Sequence, residues 1–212
     1  QCDFVGKLDA DIIIPLDFFE KLISKFEGDP ELGVGSGVSY SPNTECNLNR
    51  CCDIKEECFS RDYYIPGELP DKRLYRRSQL DEVGGFPQSK FSPDTVLLSK
   101  FRINGWKIKS FDDIKIYNLR TDSGTERNLW KSSKLLGCGR YYLNYHPLFI
   151  LLTAIYFLTC RPLSFSIGYI LGYTSSLIKG KEQIHDPELR HYFKYKRPLE
   201  IFFSLCKSLN KS

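Results

Sequence analysis

Methionine is absent from the 212 residues, and the chain opens on Gln1-Cys2-Asp3. That opening lacks the basic start and apolar stretch of a secretory leader. The sequence reads as a fragment whose amino-terminal part is missing. Histidine is scarce at three residues; His146, His185 and His191 are scattered among aromatic and acidic neighbours, which argues against a histidine-ligated metal centre. No uninterrupted apolar run reaches the roughly 20 residues of a membrane-crossing helix. Repeats and low-complexity tracts are missing too, which excludes solenoids and linkers. The net charge is only +4, so the total calls for no nucleic acid. With no export signal, the eight cysteines read as reduced cytosolic thiols. The cluster Cys46-x4-Cys51-Cys52-x5-Cys58 lacks the paired C-x2-C knuckles of structural zinc.

What the chain does contain is an ordinary globular balance, 42% apolar and 26% charged, enough for one domain with a core or a domain plus an appendage. Its charge is unevenly divided. Residues 1–127 hold 18 basic and 22 acidic groups, whereas 128–212 hold 12 basic and 4 acidic. The two parts are built for different partners. Up to residue 118, strand-like and helix-like patterns alternate. Phe4–Leu8 reads as a strand end and Asp17–Phe26 as a helix with Phe18, Phe19, Leu22, Ile23 and Phe26 on one face. Leu32–Tyr40 is a Gly-rich strand and Ser41–Tyr64 a polar loop. Leu74–Arg77 is a short strand, Ser78–Val83 a helical turn, and Pro93–Asn104 an amphipathic helix. Trp106–Ser110 and Ile114–Asn118 read as two further strands. The alternation predicts an α/β domain with a mostly parallel sheet flanked by helices. The boundary falls at 124/125, beyond which helical, aromatic and basic patterns dominate.

Two carboxylate constellations carry chemistry. Asp9-Ala10-Asp11 follows an apolar strand, and ligands of α/β sheets bind off the carboxyl ends of strands. Two carboxylates at such a bend suit a hard divalent cation that bridges to a diphosphate; the plainer alternative is that they begin a loop and cap the next helix. Ser92-Pro93-Asp94-Thr95 opens the amphipathic helix, placing Asp94 in a first turn that favours negative charge. A carboxylate there can accept a proton from a hydroxyl, or simply cap the helix. Gly67-Glu68-Leu69-Pro70 and Leu74-Tyr75-Arg76-Arg77-Ser78 lie between, the arginines suiting phosphate or a solvated edge.

In order and spacing these segments resemble the second half of a family 2 glycosyltransferase with the Rossmann-like GT-A fold. The resemblance is carried by LDADIIIPLDFFEKL, LYRRSQLDEVGGF and SPDTVLLSKFRINGW, from about Phe4 to Arg120. The tail, through GRYYLNYHPLF and HDPELRHYFK, is similar to that of some bacterial and archaeal members. The resemblance implies a partial catalytic domain over 1–124, truncated at its amino terminus, and a basic helical region over 125–212. It implies that Asp9 contacts the nucleotide-sugar, Asp11 binds Mn²⁺ or Mg²⁺, and Asp94 is the general base of an inverting displacement. Glu68, Arg76 and Arg77 would lie near the acceptor or the diphosphate. Three departures stand out: Pro93 replaces a common Glu before the base, Asn118 replaces a His that can meet the metal, and the Gln-x-x-Arg-Trp signature of processive synthases is absent. The last implies transfer of a single sugar, in cell-surface polysaccharide, glycolipid or glycoprotein assembly. The missing upstream strands would grip the base and ribose, so the fragment alone is expected to bind nucleotide poorly.

Pro147–Cys160 and Leu163–Ile178 are apolar runs separated by Arg161-Pro162. They read as a helical hairpin at a lipid surface, with Arg127, Lys131, Lys134, Arg140, Lys179 and Lys181 near headgroups and Tyr141, Tyr142, Tyr145, Tyr156, Tyr169 and Tyr173 at the interface. The alternative is two soluble helices packed on the rest of the protein. The expectation is a protein at the cytoplasmic, inner face of the membrane, acting on a sugar, lipid-linked or protein acceptor. Two rival readings are a non-catalytic nucleotide-sugar-binding module and a membrane-surface scaffold. A nucleotidyltransferase of similar fold is disfavoured, since its Gly-rich entry loop would lie in the missing region.

Overall fold

A computed structural model describes residues 2–42, 59–62, 69–70, 72–119 and 126–209. Two compact units make up the chain: Gln1–Pro87 with Leu97–Ser123, and Gln88–Val96 with Gly124–Ser212. The first contains β1 (Phe4–Lys7), β2 (Ile12–Ile13), α1 (Phe18–Gly28), β3 (Leu32–Pro42), β4 (Phe59–Arg61), β5 (Arg73–Arg76), α2 (Arg77–Glu82) and β6 (Lys107–Asn118). Helix α3 (Pro93–Ile103) begins in the second unit and ends in the first.

The α/β class expected from the alternation holds. The sheet runs β1-β5-β3-β6-β2, with β4 on β3. It is mixed, not mostly parallel: only β3–β6 is a parallel pair, while β1–β5, β3–β5, β3–β4 and β2–β6 are antiparallel. The strands joined through helices, β1, β3 and β6, do run in one direction, because β1 and β3 both oppose β5. Short strands without a helical crossover supply the reversed neighbours, as a crossover is what a parallel return requires. Adjacent side chains on β5 serve opposite faces. Leu74 joins Phe18, Leu22, Phe26, Leu32, Ile114 and Ile116 under α1, and Tyr75 joins Val34, Leu80, Val83, Leu97, Leu98 and Phe101 under α2 and α3. The spacing Phe18, Leu22, Phe26 is one helix face, and all three are buried.

Residues 106–118, read as two strands, form the single strand β6. Its register against β3 jumps between Gly37↔Phe111 and Val38↔Lys115. Phe111–Ile114 bulge there, and a Cβ on Gly37 would strike the Ile114 carbonyl oxygen, so the glycine is what lets the bulge close onto β3.

The second unit contains α4 (Glu126–Tyr142), α5 (Pro147–Cys160), α6 (Leu163–Ile178), α7 (Pro187–His191), a π-helical turn at Tyr192–Lys196, and α8 (Arg197–Leu209). Small residues bring α4 and α6 into backbone contact. A Cβ at Gly137 would meet the Tyr169 carbonyl, and one at Gly172 the Lys134 carbonyl. Gly172→Ala is therefore expected to destabilise this unit by about 1–3 kcal/mol, read as a lowered denaturation midpoint; an unchanged midpoint would mean that α4 and α6 do not approach this closely. The tyrosines expected at a lipid interface are mostly in this core. Tyr141, Tyr145, Tyr169 and Tyr173 are buried, Tyr173 Oη donates to the Tyr145 carbonyl at 2.8 Å, and burial pushes the Tyr169 phenol up to about 12. Arg140 turns inward, its guanidinium donating to Tyr145 Oη at 2.8 Å. Of the six tyrosines only Tyr156 is plainly exposed.

Candidate active site

The carboxyl ends of β1, β3 and β6 lie on one edge of the sheet, because the three strands share a direction. Asp9 and Asp11 follow β1, Ser39 and Ser41 close β3, and Asn118 ends β6. The short β2 fixes the approach: Ile12 pairs with Asn118, and Leu119 N–H donates to the Asp11 carbonyl at 2.9 Å. Asp11 is thereby held next to the end of β6 and is half-buried. The sheet edge is where the topology of an open α/β fold concentrates ligand-facing groups.

Asp9 is paired. Its Oδ2 stands 3.2 Å from Lys72 Nζ, with side-chain exposures of 42% for Asp9 and 10% for Lys72. A lysine this deeply buried requires a counter-charge, and Asp9 provides it. Lys72 is fixed from behind: fully buried Ser36 donates its hydroxyl to the Lys72 carbonyl at 2.6 Å. Asn118 Nδ2 lies 2.9 Å from Ser39 Oγ, 3.1 Å from Ser41 Oγ and 3.1 Å from Asp62 Oδ2. An amide has two hydrogens for these three acceptors, so Asn118 is anchored by its nitrogen and keeps Oδ1 as its oxygen. Lys72 and Asp62 are the residues that sequence reasoning missed. Both lie far along the chain from the groups they meet, and the only local hint was the run of charge preceding Leu74.

Arg76 and Arg77 are not brought to this edge. The register Phe4↔Arg76 and Lys7↔Arg73 puts them at the start of β1, whereas Asp9 follows its end. Arg76 Nη2 donates to the Phe26 carbonyl at 2.6 Å and its guanidinium lies over the Phe4 and Phe26 rings. It neutralises the carbonyl end of α1. Arg77 pairs with Asp81 one helical turn on. Glu68 and the cysteines at 46, 51, 52 and 58 lie outside the described residues.

Asp94 belongs to the second unit. It is the second residue of α3, half-buried, behind Pro93. Ser92 immediately before has φ 46°, a left-handed conformation that costs a non-glycine residue about 1 kcal/mol or more. Its carbonyl accepts the first helical bond, from Val96 N–H at 3.1 Å. A strained turn thus sets where the Asp94 carboxylate projects. Among the described residues no three His, Cys, Asp or Glu side chains converge to hold a metal. The Asp11 carboxylate and the Asn118 amide oxygen are nevertheless of the hard oxygen type that suits a divalent cation taking its remaining ligands from water and diphosphate oxygens.

No protein-family model matches the chain. By sequence it is similar to glucomannan 4-beta-mannosyltransferases 7 and 9 of Arabidopsis thaliana, 26% identical over 125 residues and 24% over 127, covering 55% and 56% of this chain. A probable glucomannan 4-beta-mannosyltransferase 3 of Oryza sativa subsp. japonica is 25% identical over 125 residues. The match spans only 22–24% of each relative. Among solved structures it is similar to the mannosyltransferase PcManGT from Pyrobaculum calidifontis, in complex with GDP-Man and Mn²⁺. That similarity has 13% identity and a TM-score of 0.44, over 98% of this chain and 62% of the other, too distant to carry residue roles across. Over those 125–127 residues the chain is similar in sequence to these plant glycosyltransferases.

Proposed function

We propose that the chain is part of an inverting glycosyltransferase that moves one sugar from a nucleotide-sugar to an acceptor hydroxyl. Residues 1–124 are its partial catalytic domain and 125–212 its helical, membrane-facing region. The observation that carries this reading is the pair Asp9 and Asp11 leaving β1 at the carboxyl edge of the sheet, beside Asn118. Asp11 would hold the divalent cation, Mn²⁺ or Mg²⁺, and Asn118, paired in register with Ile12, would offer its amide oxygen. Asp9 contacts the nucleotide-sugar. The cation, when bound, neutralises charge that builds on the departing diphosphate. Asp94 takes the proton from the acceptor oxygen as that oxygen attacks the anomeric carbon. One attack from the face opposite the leaving group inverts the configuration. Single transfer is supported by the missing Gln-x-x-Arg-Trp signature. Because the relatives are named mannosyltransferases, a mannosyl nucleotide heads the donor panel, with nucleoside diphosphate release as the readout. Binding of donors without release from any of them would favour the non-catalytic module.

The acceptor is proposed to be reached at the cytoplasmic face of a membrane. No helix among the described residues is long and apolar enough to cross one. At 14 residues, α5 is roughly 21 Å long. Its exposed face is mostly aliphatic, with Leu148, Leu151, Leu152, Ile155 and Leu158 each more than half exposed beside Tyr156. Arg161 follows its end, and Lys179 and Lys181 follow α6, so cations flank the apolar strip as headgroup contact requires. The variant Leu151→Ser/Leu152→Ser/Ile155→Ser is expected to weaken sedimentation with anionic phosphatidylglycerol vesicles by about tenfold or more, at unchanged thermal stability. Equal vesicle binding by this variant and the parent would refute the lipid contact.

A further inference from the structure

The Lys72–Asp9 pair has a consequence for the order in which ligands bind. Lys72 is nine-tenths buried along its side chain, and its ammonium meets Asp9 on the solvent side of the sheet edge. The lysine does not adjust freely. Its main chain is clamped by Ser36, and the next residue, buried Arg73, donates to the carbonyls of Pro70 and Leu69 at 2.7 and 2.9 Å. A fixed positive charge therefore already occupies the carboxylate that begins the Asp-x-Asp segment. A divalent cation arriving alone at Asp11 meets that ammonium at the neighbouring carboxylate of the same segment, and like charges at close range repel strongly where water is partly excluded. A diphosphate arriving with the cation changes the sign of the problem. Its oxygens accept from the ammonium and compensate the added positive charge.

We propose that Lys72 is a tethered counter-ion that makes cation binding at the Asp9–Asp11 segment conditional on the arrival of a diphosphate. The inference rests on the reading of that segment as a cation and nucleotide-sugar site. Lys72 acts here as a positioning residue: it holds Asp9 before ligands arrive and turns its ammonium to the incoming diphosphate, which frees Asp9. Cation and nucleotide are thereby coupled, each raising the affinity of the other by the same factor.

The test is Mn²⁺ titration of the protein with its reading frame extended to include the upstream sequence, with free Mn²⁺ followed by its EPR signal, alone and with GDP or UDP. Lys72→Met, which keeps the stem and removes the charge, is expected to bind Mn²⁺ alone about tenfold more tightly than wild type, with weaker enhancement by the nucleotide. Lys72→Gln gives the same result if the methionine variant fails to fold, and Lys72→Arg keeps the wild-type coupling. Mn²⁺ affinity unchanged or lowered in the neutral variants, while wild type binds Mn²⁺ with nucleotide, would leave Lys72 a structural ion pair and overturn the inference alone. Failure of wild type to retain Mn²⁺ even with nucleotide would overturn the underlying reading of the site as well.

Discussion

Asp94→Asn is expected to lower sugar transfer by roughly 10²–10⁴-fold, the usual contribution of a positioned general base, while donor affinity changes by no more than about twofold. The substitution is nearly isosteric and leaves the turn intact. Pro93 still opens α3, Ser92 keeps φ 46°, and the Val96 N–H bond to the Ser92 carbonyl involves neither form of the side chain. What the amide cannot do is take a proton. The loss should accordingly appear in kcat, with little change in donor Kd measured separately by calorimetry. A variant that keeps full turnover would move the base elsewhere. One that loses donor binding in step with turnover would make Asp94 a structural cap.

Asp11→Asn is expected to act earlier, weakening cation-dependent donor binding by tenfold or more and transfer by about 10²-fold. The main chain of Asp11 holds Leu119 at 2.9 Å, a bond that survives the substitution, so the β2–β6 pairing and the site's outline remain. Only the anionic oxygen is lost. The distinguishing readout is the difference between donor affinity with Mn²⁺ and with EDTA. In wild type it is large, and in Asp11→Asn it nearly closes. A difference that persists in the variant would show that the cation is held without this carboxylate.

The parts of this architecture written in local pattern were legible in the sequence. The apolar spacing of Phe18, Leu22 and Phe26 dictated α1, Pro93 marked the start of α3, and Asp9 and Asp11 stand at a strand end as their flanking residues suggested. What depends on pairing between distant segments was not legible. Periodicity reports a strand but not its direction, so the reversal of β5 between β1 and β3 was invisible. The bulge in β6 broke the period-2 pattern and made one strand look like two, because its stabilising partner, Gly37, lies in β3. The surroundings of Arg76 were hidden for a related reason: adjacent arginines suit a phosphate, but the α1 carbonyl that this one meets, that of Phe26, comes 50 residues earlier. Tyrosines beside apolar runs suited an interface equally well, and only the close packing of α4 on α6 decides that most of them are core. Lys72 shows in the sequence only as part of a run of charge until the fold brings it to Asp9.

The central claim, a cation-dependent sugar transfer at the Asp9–Asp11 edge, is tested most directly by nucleoside diphosphate release. The reading frame would be extended to include its upstream sequence and given a panel of nucleotide sugars, mannosyl nucleotides first, with a membrane extract as acceptor and with Mn²⁺, Mg²⁺ or EDTA. Release from one donor, dependent on the cation and eliminated by Asp94→Asn, is the predicted result. Measurable donor binding with no release from any sugar nucleotide would contradict it and leave a binding module in place of an enzyme.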